Sequence, residues 1–573
     1  MVGMSYCLPD GTTGYLPFAH KGGGNLDDGV FDRWAKVELR DIHINFFNAP
    51  YDLHNFYEAG LDLEAQGCTV SDVGLSAALL DDHRRRSRLE DIAQDYLKEG
   101  KIPGLDPARI AEYHAGDVEV YARQDSLIVH KLKKHFKPLL EEQGLTRVQK
   151  IEDDCIFATC EMERNGYPVD EEKLDLWLKQ SERDYVQCLL ELHKVCGFRV
   201  NPKSNPDLNR VFEKFDIPLP RYDELGDKRR FGKVCFEKRY IESIDHPAVR
   251  LIRRAKRLAG VRSKYLIPYS ECFKKFGKFI YSLHQLRVDN NDEGEVGTVS
   301  GRYSSSAYGK TRDGVNAQQV AGKKHQHSTK EEVDWPYKPK ELFIAENGQL
   351  VLSGDADQIE YRVFTHFGKP AAVLAEYERD PHTNFHKIIH KMILDFREIT
   401  YELTKDCNFA GLFGAGPNKF AWMLKMNNPW PDGRATPAAK KLYNLYHNTL
   451  PEAKSLHKEA MRVAEERGYV KTLLGRRARF PDKMFVNAAI NRVVQGTAAD
   501  EMKLKLIELR KERKYTGFKL RLTVHDEVCG DVPDKEAAMR VSEVLNRQLL
   551  PTRVPLLWTV GIGPNWNDAK KVA

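Results

Sequence analysis

A chain of 573 residues with 41% hydrophobic and 30% charged residues is too long for one core and too apolar to be disordered, so about three or four domains are expected. Lys and Arg outnumber Asp and Glu by 89 to 83, a net charge of +6 that suits a polyanionic partner but is shared by many unrelated proteins. Ten cysteines without a Cys-x-x-Cys pair argue against a disulfide framework or structural zinc, and the lack of a long apolar run or signal-like N-terminus argues against a membrane protein and for a cytoplasmic one, in the host cytoplasm if viral.

The opening MVGMSYCLPDGTTGYLPF predicts a strand, a Pro-Asp-Gly turn and a second strand. IHINFF (42–47) reads as a strand that runs into NAPYDL (48–53). Asp52 there is either a turn residue capping the next helix or a metal ligand, and the stretch alone does not decide. RLEDIAQDYL (88–97) and VEVYARQDSLIVHKLKKHF (118–136) carry helical spacing, so residues 1–146 are expected to form an α/β domain. From 147 to 285 the pattern is helical and heavily charged, as in VQKIEDDCIFATCEMERNG. Gly/Ser-rich loops follow, with a polar, unpatterned loop at 320–340, and then helices and strands alternate to the end. HKGGGN (20–25) lacks the strand–loop–helix context of a phosphate cradle and reads as a loop.

GQLVLSGDADQIEYRVFTHF (348–367) reads as a strand ending at Asp355, followed by a helix. RLTVHDEVCGDV (521–532) reads as a hairpin with Asp526 near its tip. Each acid alone is most simply a turn former. Two that converge can hold two Mg²⁺ ions, which favour sparse carboxylate ligation. Between them, in REITYELTKDCNFAGLFGAG (397–416), Thr400 is a candidate N-cap, and Tyr401, Lys405, Phe409 and Phe413 share one helix face. An apolar stripe normally means core, but one that carries a lysine and ends in Gly-Ala-Gly suits a face that meets a ligand.

Together DADQIEYR (355–362), TKDCNFAGLFGAG (404–416) and VHDEV (524–528) resemble three motifs of family A DNA polymerases. SGRYSSS (300–306), NAQQV (316–320), GYVKTLLGRRARFPD (468–482), NAAINRVVQGTAADEMK (487–503) and GIGPNWNDA (561–569) extend the resemblance in order. It implies a multidomain α/β and α+β chain: an RNase H-like 3′–5′ exonuclease domain (1–146), then a right-hand polymerase. The expected divisions are thumb 147–285, palm 286–372 and 468–573, and fingers 373–467. It further implies that Asp355 and Asp526 bind two Mg²⁺ ions, for which Mn²⁺ substitutes, with Glu527 assisting. Lys405 and His386 would hold the triphosphate, Phe409 would stack on the nucleotide's sugar and base and Phe413 by the template base, Gln358 would also bind the dNTP, and Glu360 would exclude ribonucleotides. Arg302, Gln318, Asn491, Gln495 and His525 would read the minor groove, where base pairs look alike, or the primer end, and Arg476 would also contact the DNA.

There are departures. Tyr401 stands where the family has an arginine, for which Arg397 is a substitute, and Asn487 replaces another. Phe413 stands where the family has a tyrosine, and the segments 307–315 and 321–340 look long. In front, NAPYD (48–52) and YARQD (121–125) resemble two exonuclease motifs, placing Asp52, Tyr121 and Asp125 at a nuclease site. The Asp-x-Glu of the first motif should precede the opening strand, which here begins at residue 2. The nuclease is therefore expected to be impaired, with a truncated start or a separate chain supplying the strand as alternatives. The leading expectation is a DNA-templated DNA polymerase acting on primer-template DNA and dNTPs, alone or with a processivity factor. The alternatives are a single-subunit RNA polymerase, a catalytically silent DNA-binding relative, and a nuclease.

Overall fold

The computed structural model describes residues 2–571 except 28, 85, 220–233, 235, 237–240, 242–243, 291–293, 307–313, 321–334, 395–398 and 429–432. Arg397 and most of the expected 307–315 and 320–340 loops therefore lie outside the described residues.

The opening hairpin forms as its turn signal dictates. β1 (Gly3–Cys7) pairs antiparallel with β2 (Thr13–Pro17). Gly11 turns the chain at φ 95°, and Asp10 Oδ1 accepts from the Thr12 N–H at 2.8 Å. β3 (His43–Phe46) runs parallel to β4 (Thr69–Asp72), with α1 (Ala49–Glu58) on the crossover. Of the two readings of Asp52, the helix cap does not hold: Asp52 lies in the first turn. The cap is the buried Asp72, whose carboxylate accepts from the N–H groups of Asn48 (3.2 Å) and Ala49 (2.8 Å). The front strands thus form two separate two-stranded sheets. The long α2 (Ala115–Glu142) packs on both of them.

α3 (Thr146–Asn165) and α4 (Glu171–Cys196) follow, each closed by a glycine and α4 capped by Asp170. α3 touches α1 and β4 of the front unit as well as helices and strands near the C-terminus, so a continuous core crosses the expected boundary at 146.

The second half is organised on one antiparallel sheet. β5 (Leu350–Ala356) leads into α6 (Ile359–Gly368), α7 (Phe385–Leu394) and α8 (Tyr401–Leu412). α9 (Pro451–Arg467) precedes the hairpin β6 (Tyr469–Lys471) and β7 (Arg477–Arg479), then α10 (Ala489–Lys511). β8 (Lys519–Val524), β9 (Glu527–Val532), α11 (Lys535–Asn546), β10 (Trp558–Gly563) and β11 (Lys570–Lys571) complete the chain. The sheet order is β8-β9-β5-β10-β11, with β5 in the centre. α11 lies tightly on it because Gly354 has no side chain; a Cβ there would stand 2.8 Å from Leu545 Cδ1. A separate apolar cluster, including Phe385, Cys407, Leu412 and Tyr446, gives the helices around α8 a core of their own.

A charged knot holds α3, α10 and the β6–β7 hairpin together. Arg476 donates to Asp500 (2.7 Å) and Glu152 (2.6 Å), and Lys503 donates to Glu152 at 2.6 Å. Two cations face two anions, and all four side chains are buried. Arg476, expected at the DNA, is therefore a structural residue: it is 4% exposed and its charge is spent inside the fold.

Candidate active site

β9 returns antiparallel along β5 with Glu527 directly opposite Asp355. β8 and β9 are joined through the two residues His525 and Asp526, since Val524 pairs with Glu527. His525 takes a left-handed φ of 54° and is exposed at the tip. The Ala356 N–H donates to the Asp526 carbonyl at 2.9 Å, pinning this turn to the end of β5. Two strand ends thereby bring Asp355 and Asp526 side by side, as their positions in the sequence imply.

Two further carboxylates stand beside them, and both are already engaged. Asp357 accepts from Thr559 Oγ1 with both oxygens (2.8 and 2.9 Å). Glu527 accepts from Ser353 Oγ and Trp566 Nε1, each at 2.6 Å, and from Lys340 Nζ at 3.3 Å. Asp526 Oδ1 accepts from Arg302 Nη2 at 3.3 Å, and the same nitrogen is bonded to Glu360. Among the described residues Asp355 receives no hydrogen bond. It faces solvent, yet desolvation by the surrounding protein, then the charges of Glu527, Asp526 and Asp357, push its carboxyl up to about 7. Such crowding calls for a cation. No three His, Cys, Asp or Glu side chains among the described residues are grouped as ligands, but the Asp355 and Asp526 carboxylates, the second shared with Arg302, fit the sparse ligation of Mg²⁺, which keeps much of its water.

α8 presents the second half of the site. Thr400 caps it, accepting from the Leu403 N–H at 3.2 Å. Thr404, Cys407, Asn408 and Gly411 turn inward, while Phe409 is exposed on the opposite face, flanked by the half-buried Tyr401, Lys405 and, just past the helix end, Phe413. Phe409 is 58% exposed, a large apolar surface left in water, and its ring lies 6.2 Å from that of Phe413. Lys405 sits 4.6 Å over the Tyr401 ring and 3.3 Å from Glu402, which partly balances it. His386 of α7 is pushed down to about 4 by burial and then by Lys405, so it is neutral at pH 7. Its Nδ1 accepts from Asn408 Nδ2 at 2.9 Å, which leaves Nε2–H as the free donor. Gln358 does not point its carbonyl at this face; that oxygen accepts from the Phe385 N–H at 2.8 Å and locks the start of α7.

The other expected contacts divide. Gln318 Nε2 donates to the Thr523 carbonyl (2.8 Å), which places it against the end of β8 near the His525–Asp526 tip. Asn491 and Gln495 lie one turn apart at the start of α10, both partly exposed, with Asn491 Oδ1 unpartnered among the described residues. In the front unit, Asp125 is claimed by Lys101, whose Nζ donates to it at 2.7 Å and to Tyr121 OH at 3.3 Å. Burial, then the charge of Asp72, pushes Asp52 up to about 7. The structure thus groups Tyr121 with Asp125 around a lysine, while Asp52 has Asp72 as its charged neighbour.

Sequence reading missed Lys340, Ser353, Thr559, Trp566 and Lys101. No spacing announces them, because each reaches its carboxylate from a different strand, loop or tail. Ser353 and Trp566 lie in quoted stretches, GQLVLSGDADQIEYRVFTHF and GIGPNWNDA, where nothing marks their partner.

Comparison with known proteins identifies the family and the fold. The profile of DNA polymerase family A matches residues 171–568. A DNA polymerase DpoZ of Salmonella phage PMBT28 is 25% identical over 100% of this chain and 94% of its own length. The thermostable DNA polymerase I of Thermus aquaticus is 24% identical over 81% of this chain and 54% of its own. In fold, the chain resembles the POL domain of Pol1 from M. smegmatis, solved with DNA primer-template and dNTP, at a TM-score of 0.79 and 19% identity; the match covers 99% of this chain and 93% of that one.

Proposed function

The chain belongs to DNA polymerase family A, and from that premise we propose that it extends a primer on a DNA template through the Asp355–Asp526 pair. The observation that carries the proposal is the Ala356–Asp526 backbone bond, which holds two carboxylates at adjacent strand ends, Asp355 with no side-chain partner among the described residues and Asp526 bonded to Arg302. Bound divalent cations, two Mg²⁺ in this reading, supply positive charge to the attacking and leaving oxygens.

The chain's own residues do the rest. Asp355 and Asp526 fix where the primer 3′-hydroxyl and the α-phosphate of a dNTP meet. Lys405 holds the departing pyrophosphate, and the neutral His386 donates from Nε2 without adding charge. Phe409 stacks on the incoming nucleotide, and Phe413 lies beside it toward the template. Glu360 crowds the sugar 2′ position. Gln318, His525, Asn491 and Gln495 line the path of the duplex.

In this reading residues 147–285 are the thumb, 286–372 and 468–573 the palm, and 373–467 the fingers. The front unit is exonuclease-like but a poor proofreader, which the Lys101–Asp125 pair supports by occupying a carboxylate the nuclease needs. Primer extension with dNTPs tests the reading, with a mismatched primer end included. Extension without removal of the mismatch is expected; no incorporation by the wild type with Mg²⁺ or Mn²⁺ overturns it.

A further inference from the structure

We propose that Trp566, Ser353 and Lys340 are positioning residues that hold the Glu527 carboxylate out of the cation site, so that only Asp355 and Asp526 face the metal. The inference deepens the polymerase reading and rests on it for the role of the cation. It begins from the register of β5 and β9, which sets Glu527 directly across from Asp355. Glu527 is near enough that its charge is felt at Asp355. Left free, it would be a third carboxylate at the same ion.

The protein leaves it no freedom. Glu527 Oε1 receives the Ser353 hydroxyl and the Trp566 indole N–H, both at 2.6 Å, with the Cys529 thiol at 3.4 Å. Oε2 receives Lys340 Nζ at 3.3 Å. Hydrogen bonds to an ionised acceptor are the strong ones, and this carboxylate has its charge balanced without a metal.

The clamp is itself braced. Lys340 Nζ lies 3.7 Å over the Trp566 ring, so one ammonium grips both the acid and the indole that donates to it. The Trp566 ring packs 5.2 Å from Phe343, and its backbone N–H donates to the Phe343 carbonyl at 2.9 Å. The indole cannot swing away without breaking that contact. A segment near the C-terminus thereby sets the number of carboxylates open at the active centre.

The chemistry explains why two would be better than three. Mg²⁺ holds its waters and is bound through one or two carboxylates plus substrate phosphates. A third protein carboxylate would take a position that the nucleotide's phosphates need and tighten the ion in their absence. Residues that orient or restrain groups around a metal commonly tune its affinity by about 10–100-fold.

The test measures metal binding rather than polymerisation. Mn²⁺ affinity of the full chain, free of DNA and nucleotide, is read by electron paramagnetic resonance for wild type, Trp566→Phe, Ser353→Ala, Glu527→Gln and the double variant Trp566→Phe/Glu527→Gln. Trp566→Phe and Ser353→Ala are each expected to bind Mn²⁺ about tenfold more tightly, as loss of one charge-assisted bond frees the acid. Glu527→Gln sets a baseline that adding Trp566→Phe leaves unchanged. Unaltered or weaker binding in both single variants overturns the proposal, as does a Trp566→Phe effect that persists without Glu527. Ser353→Ala keeps the test open if Trp566→Phe does not fold. Failure of the wild type to extend primers would sink the polymerase reading but not this one, because Mn²⁺ binding is scored separately.

Discussion

Arg302 reaches Asp526 across 3.3 Å with the same nitrogen that is bonded to Glu360. One guanidinium therefore joins the carboxylate proposed to hold metal to the one proposed to exclude ribonucleotides. Its positive charge lies between the two carboxylates.

Removing Asp526 should therefore separate chemistry from binding. Asp526→Ala is expected to lower the single-turnover extension rate by roughly 10³-fold or more, since a metal-bound transition state loses several kcal/mol. Primer-template affinity should stay within about threefold, because backbone phosphate contacts dominate it. Rapid-quench extension and fluorescence anisotropy measure the two. Near-normal extension would remove Asp526 from the site.

Glu360 should set the choice of sugar. Its carboxylate is half-buried and held by Arg302, so it presents a fixed wall rather than a mobile charge. Glu360→Ala is expected to cut the dNTP-over-rNTP ratio of kcat/KM by about 10–100-fold, the range that a steric or polar contact of 1–3 kcal/mol gives. An unchanged ratio would assign the exclusion of ribonucleotides elsewhere.

Asp355 should make both activity and stability depend on pH. With its carboxyl at about 7 in the metal-free fold, protons compete with the cation, so extension at low Mg²⁺ is expected to fall as pH drops through about 7. More Mg²⁺ should move that midpoint lower. Stability goes the other way. The folded pKa lies above the ordinary aspartate value of 3.8, so the folded state binds more protons than the unfolded one between about 4 and 7. The metal-free protein should therefore lose stability as pH rises across that window. Urea melts in EDTA measure this, and Asp355→Asn should flatten the slope; a slope that survives belongs to other groups.

How much of this was legible differs by residue, and for physical reasons. Asp355 and Asp526 could be read because strand periodicity and a tight turn are local signals that fix where a strand ends. The exposed face of α8 could be read because four-residue spacing is a property of the helix itself. Asp72 was missed as the cap of α1 because it comes from the strand after that helix. The clamp on Glu527 was invisible for the same reason, being built by Lys340, Ser353 and Trp566 from separate segments. Sequence spacing carries no record of which distant groups meet.

Arg476 is the sharpest case and gives the last prediction. The family resemblance places it at the DNA, yet its partner Glu152 lies 324 residues away in sequence. Removing it leaves Asp500 and Glu152 buried with only Lys503 to balance them. Breaking a buried ion pair in this way costs about 3–5 kcal/mol. Arg476→Ala is thus expected to lower the urea midpoint markedly, while the fraction that remains folded binds primer-template with wild-type affinity and salt dependence. If Arg476 instead touched a phosphate, the variant would keep its midpoint, and the slope of log K against log salt would shrink by about 0.9. Equilibrium unfolding and a salt titration on the same preparation distinguish the two, because burial and phosphate contact predict opposite pairs of results.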